Sequence, residues 1–237
     1  MRAGKLRVAL FLPQWIKDPA TGDIRGHGTG VVTVQIAHAL AARLGVQVQL
    51  VGHPTPPAVA ESLRAGRCEV GFMGITPARA SDIRLSPPLI VVPFTLLVPA
   101  GSSIASVGDA DRAGIRVAVV RNHESTQALT RILKHAELVS AEVPDAAFDL
   151  LRSRQADALA SHVLALEEYS TKLPGSRMLE DRYGANLLAM AVSGDQAGWL
   201  AYITEFVEEA QASGLVLRAI EQAGVRGIRV APATRER

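Results

Sequence analysis

The residues best suited to chemistry in this sequence are polar side chains that directly follow short apolar stretches. Arg79 ends the segment 74–79 (GITPAR), which comes immediately after the apolar stretch 68–73. A guanidinium group offers a planar fork of donors that matches a carboxylate, and a helix start nearby would add backbone N–H donors. The segment therefore fits a carboxylate site, and the alternative is an arginine that pairs with a surface acid such as Asp82.

A second polar segment, residues 121–126 (RNHEST), follows the β-patterned stretch 115–120. Ser125 or Thr126 could hold an anion at a helix N-terminus or could only cap that helix. With Arg79 and His162, this segment predicts a binding mouth in which Glu124 is the only nearby acid. We therefore expect a ligand with more negative than positive charge, such as a carboxylate, a dicarboxylate or another small oxyanion.

Other chemistry finds no support in the sequence. The six histidines lack the spacing of metal ligands, no serine or cysteine lies in a nucleophile elbow, and no phosphate loop is present. Cys68 is the single cysteine and lies in an apolar stretch typical of a core strand. We predict no catalytic residue, no metal and no cofactor.

Composition excludes several classes of partner. The net charge of +2 is spread along the chain and the aromatic content is 4%, so we expect neither a nucleic-acid surface nor a base-stacking platform. No apolar run approaches the length of a membrane span, and the N-terminus leads straight into a strand without a signal-peptide pattern. The chain is expected to be either the mature form of an exported protein or a cytoplasmic protein.

The order of elements predicts two α/β halves of the same topology. Apolar periodicity gives a β-α-β-α-β order twice, with the helices ended by glycine or a polar residue. The first copy covers 6–12, 31–44, 46–51, 57–65 and 68–73, and the second covers 115–120, 125–135, 137–143, 145–154 and 156–160. Local sequence repeats as well, because 6–9 matches 115–118 and 63–67 matches 151–155.

Two apolar, β-rich stretches, 89–98 and 186–192, are interpreted as crossovers between the halves. They predict a discontinuous first lobe, residues 1–94 plus 190–237, and a second lobe, residues 95–189. Ligands of parallel sheets bind beyond the carboxyl ends of the strands. Candidate site residues should therefore follow strands in each lobe.

The order of these elements, with 66–70 (GRCEV) followed by 74–79 (GITPAR), resembles the family 3 extracellular solute-binding proteins. These are the polar amino-acid binders of ABC transporters, and the similarity runs from Lys5 to about Val225. The resemblance implies a two-lobed, periplasmic binding protein-like type II α/β fold without catalytic activity. It also implies hinge closure on a small ligand, a permease partner, a periplasmic location and a monomer.

The resemblance assigns the ligand's carboxylate to Arg79 and further donors to the start of a helix in the second lobe. Trp15 would stack on the ligand or only pack in the protein. The predicted ligand-binding set is Gln14, Trp15, Phe72, Gly74, Thr76, Arg79, Arg121, Asn122, His123, Ser125, Thr126, Ser161 and His162.

Two departures from the family pattern affect the ligand. His162 occupies the place where amino-acid binders carry an aspartate for the ligand's ammonium group, and an imidazole cannot replace that charge. The glycine-rich loop 26–30 replaces an acidic helix start, and it either cradles an anion or is only flexible. An ordinary α-amino acid is therefore in doubt as the ligand.

Two other functions use the same architecture. One is an enzyme similar to cyclohexadienyl dehydratases, for which Glu124 is the only candidate general acid. The other is the ligand-sensing domain of a larger regulator, which would require that this chain be a fragment.

Overall fold

The computed structural model describes residues 4–11, 15–17, 24–26, 28–75 and 82–232, with the backbone alone for 15–17 and 24–26. The strands are β1 (Lys5–Phe11), β2 (Trp15–Lys17), β3 (Ile24–Gly26), β4 (Gln47–His53), β5 (Val70–Gly74), β6 (Ile83–Val98), β7 (Arg116–Val120), β8 (Glu137–Ala141), β9 (Ala158–His162), β10 (Arg177–Met178), β11 (Gly184–Ser193) and β12 (Arg229–Val230). The helices are α1 (Thr29–Arg43), α2 (Pro56–Arg64), α3 (Val107–Ala110), α4 (Glu124–Ile132), α5 (Pro144–Arg152), α6 (Val163–Lys172), α7 (Ala197–Ala212) and α8 (Leu215–Ala223).

The chain divides into two compact units. The first contains the described residues up to Val91, those of 187–225 and those from Arg229 onwards, and the second contains 92–186 with 226–228. The chain passes from one unit to the other within two long strands, β6 and β11.

In the first unit, β1 lies between β4 and β5 and is parallel to both. β11 runs antiparallel to β5, with Phe72 opposite Met190, and the sheet continues in the order β4-β1-β5-β11-β6. β2 and β3 form a separate antiparallel ribbon. The parallel part of the sheet follows the β-α-β-α-β order expected from the sequence.

Local signals explain where the helices of the first unit begin and end. Thr55 caps α2 by accepting a hydrogen bond from the Ala58 N–H at 3.3 Å, and a proline occupies the first helical turn. Gly45 and Gly66 follow α1 and α2 with φ of +66° and +62°, a conformation that costs glycine little. α2 then packs Val59 and Leu63 against β5, where both approach Gly71.

In the second unit, β7 lies between β8 and β9 and is parallel to both, and β9 runs antiparallel to β6. The sheet is buried on both faces because its apolar residues alternate between two cores. One core contains Phe94, Leu96, Val117, Val119 and Leu129, and the other contains Leu97, Ala118, Phe148, Leu151, Leu159 and Leu166. This double burial explains the nearly continuous apolar sequence of β7 and β9.

Several short elements had no clear signal in the sequence. The bounds of α6 were not predicted, because it begins directly after β9 without an intervening loop. β12 pairs with β6 through Arg229 and Val230 in a segment with little apolar pattern. α4 ends at Ile132 rather than at the predicted residue 135.

Candidate functional site

Two helices of the second unit begin at one edge of its sheet. β7 ends at Val120 and its parallel neighbour β9 ends at His162. α4 starts at Glu124 and α6 starts at Val163, directly beyond those strand ends. The carboxyl edge of these strands therefore collects two helix N-termini, whose first N–H groups have no partner within their own helix.

A histidine caps each of these helices with its ring. The Ser125 N–H donates to Nδ1 of His123 at 3.2 Å, and the Ser125 hydroxyl lies 2.7 Å from the same nitrogen. The Ala165 N–H donates to Nδ1 of His162 at 3.1 Å. Because Nδ1 accepts a hydrogen bond in both neutral rings, the ring proton of each is on Nε2.

The two imidazoles belong to a cluster of four rings. The ring centroids of His123 and His162 are 6.0 Å apart, and Phe94 lies 6.5 Å from His123 and 5.9 Å from Tyr183. Phe94 is also opposite His162 in the pairing of β6 with β9. We call these four residues, Phe94, His123, His162 and Tyr183, the histidine cluster.

Burial keeps both histidines of the cluster neutral. It lowers the pKa of His162 to about 4, and a proton on His123 would act in the same direction. Burial also lowers the pKa of His123, although Glu124 opposes this effect. At neutral pH the cluster therefore presents neutral imidazoles with N–H donors.

Tyr183 and Phe94 are members of the cluster that the sequence analysis missed. The Tyr183 hydroxyl is buried and forms no hydrogen bond of ordinary geometry within the described part of the chain. Burial raises the pKa of Tyr183, and the nearby Ser125 hydroxyl opposes that shift. Phe94 lay in a stretch interpreted as a crossover, where no periodicity separated it from core residues.

The other predicted residues of the second unit have local roles. The Thr126 hydroxyl donates to the Val120 carbonyl at 2.7 Å, and Asn122 adopts a left-handed conformation with φ of +59°. Both shape the turn between β7 and α4. Ser161 is buried within β9, opposite Thr95.

Arg121 is paired at the surface. Its Nε lies 2.7 Å from a carboxylate oxygen of Glu142, and both side chains are more than half exposed. The sequence analysis named Glu124 as the only nearby acid, so Glu142 is a second acid that it did not anticipate. The pair reduces the positive charge available at this edge of the sheet.

In the first unit, part of the predicted site lies on β5. Phe72 is buried within the strand and Gly74 is its last residue. Thr76, Arg79 and Gln14 lie outside the described residues, and the backbone of Trp15 pairs with Gly26 in the ribbon. The role of Arg79 in binding a carboxylate remains a prediction.

The glycine-rich loop leads into α1. Gly28 has a φ of +56° and its carbonyl accepts a hydrogen bond from the Val31 N–H at 3.2 Å. The described residues contain no group of three or more histidine, cysteine or acidic side chains that could hold a metal ion. Among the helices of the same described ranges, none is long and apolar enough to cross a bilayer.

Comparison with protein families shows to which family this chain belongs. Residues 20–223 match the model of the bacterial extracellular solute-binding proteins, family 3. The chain belongs to this family. The family predicted from the sequence is thus confirmed, and so is the two-lobed, type II periplasmic binding protein-like fold.

Solved structures agree with this family 3 fold. One is a putative binding component of an ABC transporter from Wolinella succinogenes in complex with lysine, which is 21% identical with a TM-score of 0.73 over 93% of this chain and 95% of that one. Another is the ancestral amino-acid-binding protein AncCDT-1, described as a precursor of cyclohexadienyl dehydratase, with 24% identity and a TM-score of 0.69 over 92% and 94%. At these identities the likeness concerns the fold alone.

A curated relative of this family 3 chain is the virulence sensor protein BvgS of Bordetella bronchiseptica. It is 27% identical over 142 residues, which is 59% of this chain. The matched part amounts to 11% of the length of the relative.

Proposed function

We propose that this protein is the substrate-binding component of an ABC transporter. It binds a small carboxylate-bearing solute, acts as a monomer in the periplasm and delivers the solute to a membrane permease. Family membership supports a solute-binding role. The observation that carries the proposal is the histidine cluster at the carboxyl edge of β7 and β9, where neutral donors and two helix N-termini meet.

The chemistry of this edge favours an acidic or strongly accepting group. Helix N-termini stabilise negative charge, and the capping imidazoles leave Nε2–H donors for a ligand. Arg79 is proposed to bind a carboxylate through its guanidinium fork. No acidic side chain belongs to the histidine cluster.

Calorimetric titration of the Arg79→Ala variant tests the proposed carboxylate contact. We expect the variant to fold normally and to lose about 2 kcal/mol of binding free energy for an organic acid, because a charged hydrogen bond is removed. The matched control is Arg152→Ala on α5, an exposed arginine paired with Asp149, which should bind with unchanged affinity. Unchanged affinity in Arg79→Ala would remove Arg79 from the site.

A sensory role is the second candidate, because the match to BvgS connects this chain to a sensor protein. In that case the chain would bind its solute as part of a signalling protein. Reconstitution with ABC permeases in vesicles separates the two functions. Stimulated uptake of the bound solute supports transport, and binding without stimulated uptake supports sensing.

An enzymatic role is less well supported. Glu124 is the candidate acid, and it lies in the first turn of α4, partly exposed. Elimination chemistry needs an acid buried next to the leaving group. We expect no turnover of prephenate or arogenate in a spectroscopic assay, and measurable turnover that disappears in Glu124→Gln would overturn this expectation.

A further inference from the structure

The ring nitrogens that the helix caps of the histidine cluster leave unengaged are Nε2–H donors, and no carboxylate belongs to the cluster. Burial and His123 lower the pKa of His162, and a hydrogen bond with its own backbone raises it. No acidic residue among those described contributes to the shift. Glu124 influences His123 but sits at the first position of α4. A ligand group placed against His162 therefore meets N–H donors rather than acceptors.

The capping hydrogen bonds fix this donor character. If His162 turned its acceptor nitrogen toward a ligand, the Ala165 N–H at the start of α6 would lose its partner. The same argument applies to His123, whose Nδ1 is engaged by both the N–H and the hydroxyl of Ser125. The two rings thus have one tautomer and one orientation each.

The surroundings make an unmatched charge costly. Phe94 is buried and contacts the ring of His123, and Tyr183 is buried beside Phe94. In such an environment a cation without an acceptor loses its hydration and gains no compensating bond. A neutral or anionic acceptor, by contrast, gains two donors.

We propose that His123 and His162 determine the specificity of this protein by donating Nε2–H to an acceptor of the ligand and by leaving an ammonium group without a partner. The ligand class is then organic acids with a carbonyl or carboxylate at this end, rather than α-amino acids. This inference rests on the proposed solute-binding function and narrows its ligand from carboxylate-bearing solutes in general to those without an ammonium group. Specificity for this end of the ligand resides in this pair of rings, both of which lie in the second unit.

Matched pairs of ligands test the inference, because a 2-oxo acid and its amino acid differ only in carrying a carbonyl or an ammonium group. Calorimetry at neutral pH would compare 2-oxoglutarate with L-glutamate, pyruvate with L-alanine, and 2-oxoisocaproate with L-leucine. We expect the pairs that bind to favour the 2-oxo acid by at least about tenfold, the value of one hydrogen bond or more. Equal or tighter binding of the amino acids would overturn the inference while leaving solute binding intact.

Two variants that keep the helix caps make the test independent of folding. Aspartate and asparagine are themselves favoured N-cap residues, so α6 and α4 should remain capped. His162→Asp should shift the preference toward the amino acid by at least about tenfold, since it supplies an acceptor for the ammonium group. His123→Asn should weaken binding of the 2-oxo acid by about tenfold, because it removes the Nε2–H donor of that ring.

Failure of the inference differs from failure of the proposed function. An unchanged preference in both variants, with native thermal unfolding, would show that the pair does not select the ligand. No binding of any of the six compounds would overturn the inference and the carboxylate-binding function together. A reversed preference in His162→Asp supports both.

Discussion

Each of the two units contains an ion pair of the same design near the amino ends of its parallel strands, whereas the residues at the carboxyl ends of those strands differ. In the first unit, the Arg7 N–H donates to a carboxylate oxygen of Glu69 at 2.8 Å, and its guanidinium pairs with the same carboxylate. In the second unit, the Arg116 N–H donates to Asp157 at 2.8 Å and the guanidinium lies 3.0 Å from that carboxylate. The N–H of each acid in turn donates to the carbonyl of its arginine. We call each of these pairs a clasp.

The match extends to the turn that precedes each acid. A guanidinium nitrogen of Arg7 donates to the Gly66 carbonyl at 3.0 Å, and the corresponding nitrogen of Arg116 donates to the Arg154 carbonyl at 2.9 Å. Gly66 and Arg154 have left-handed backbones with φ of +62° and +60°. The repeated sequence of 63–67 and 151–155 is therefore a repeat of structure, down to an unusual backbone conformation.

At the carboxyl ends this correspondence stops. β9 ends at His162 and continues directly into α6, whereas β5 ends at Gly74. Ligands of parallel sheets bind at the carboxyl ends of strands. The two units therefore present the same ion pair at one edge of the sheet and different residues, Gly74 and His162, at the other edge, where ligands bind.

Removing the acid of a clasp should have the largest effect on stability. Glu69→Ala should lower the free energy of unfolding by about 3 kcal/mol, because it leaves a guanidinium and a backbone N–H without their acceptor. Asp157→Ala should cost about 2 kcal/mol, since this carboxylate is 35% exposed against 12% for Glu69. Urea denaturation measures both losses.

The conservative variants Glu69→Gln and Asp157→Asn serve as controls and should recover part of each loss. Losses below about 0.5 kcal/mol in both alanine variants, the size of a surface ion pair, would show that the clasps are incidental.

Acidification should destabilise the protein through the histidine cluster before it affects the clasps. Between the ordinary pKa of 6.5 and the folded value of about 4, the unfolded chain binds a proton at His162 that the folded chain does not. This contribution to stability is complete above pH 6.5 and is lost as the pH falls toward 4. A pKa shift of this size corresponds to a loss of at most about 3 kcal/mol over this window.

The carboxylates of the two clasps lose their charge only at a lower pH. Burial alone would raise the pKa of Glu69, but hydrogen bonds from Arg7 bring it below its ordinary value of 4.5, and Arg116 similarly lowers the pKa of Asp157. Their contribution is lost only as the pH falls below these ordinary values. Urea denaturation at a series of pH values measures the free energy of unfolding as a function of pH. Above pH 4.5 this free energy should depend less steeply on pH in His162→Asn than in the unmodified protein. An unchanged dependence would contradict the assignment of the acid sensitivity to His162.

The fold could be predicted because it depends on periodicity, and the cluster could not because it depends on register. Apolar alternation and helix ends located the strands and helices of the two β-α-β-α-β repeats within a few residues. His123 and His162 were named because they follow strands. Phe94 and Tyr183 join them through the pairing of β6 with β9 and the contact between their rings. Neither relation leaves a local pattern in the sequence.

Substitutions in the two left-handed turns should have the smallest effect on stability and give the sharpest test of the structural repeat. Gly66→Ala should cost about 1 kcal/mol, since an L side chain disfavours this backbone. No other atom lies within 4 Å of the added methyl group, so the cost is conformational alone. Arg154→Gly should instead stabilise the second unit by about 0.5 kcal/mol, because the relief of this strain is partly offset by a more flexible unfolded chain. Thermal unfolding of the two variants measures this difference of sign, and equal signs would mean that the two turns are not equivalent.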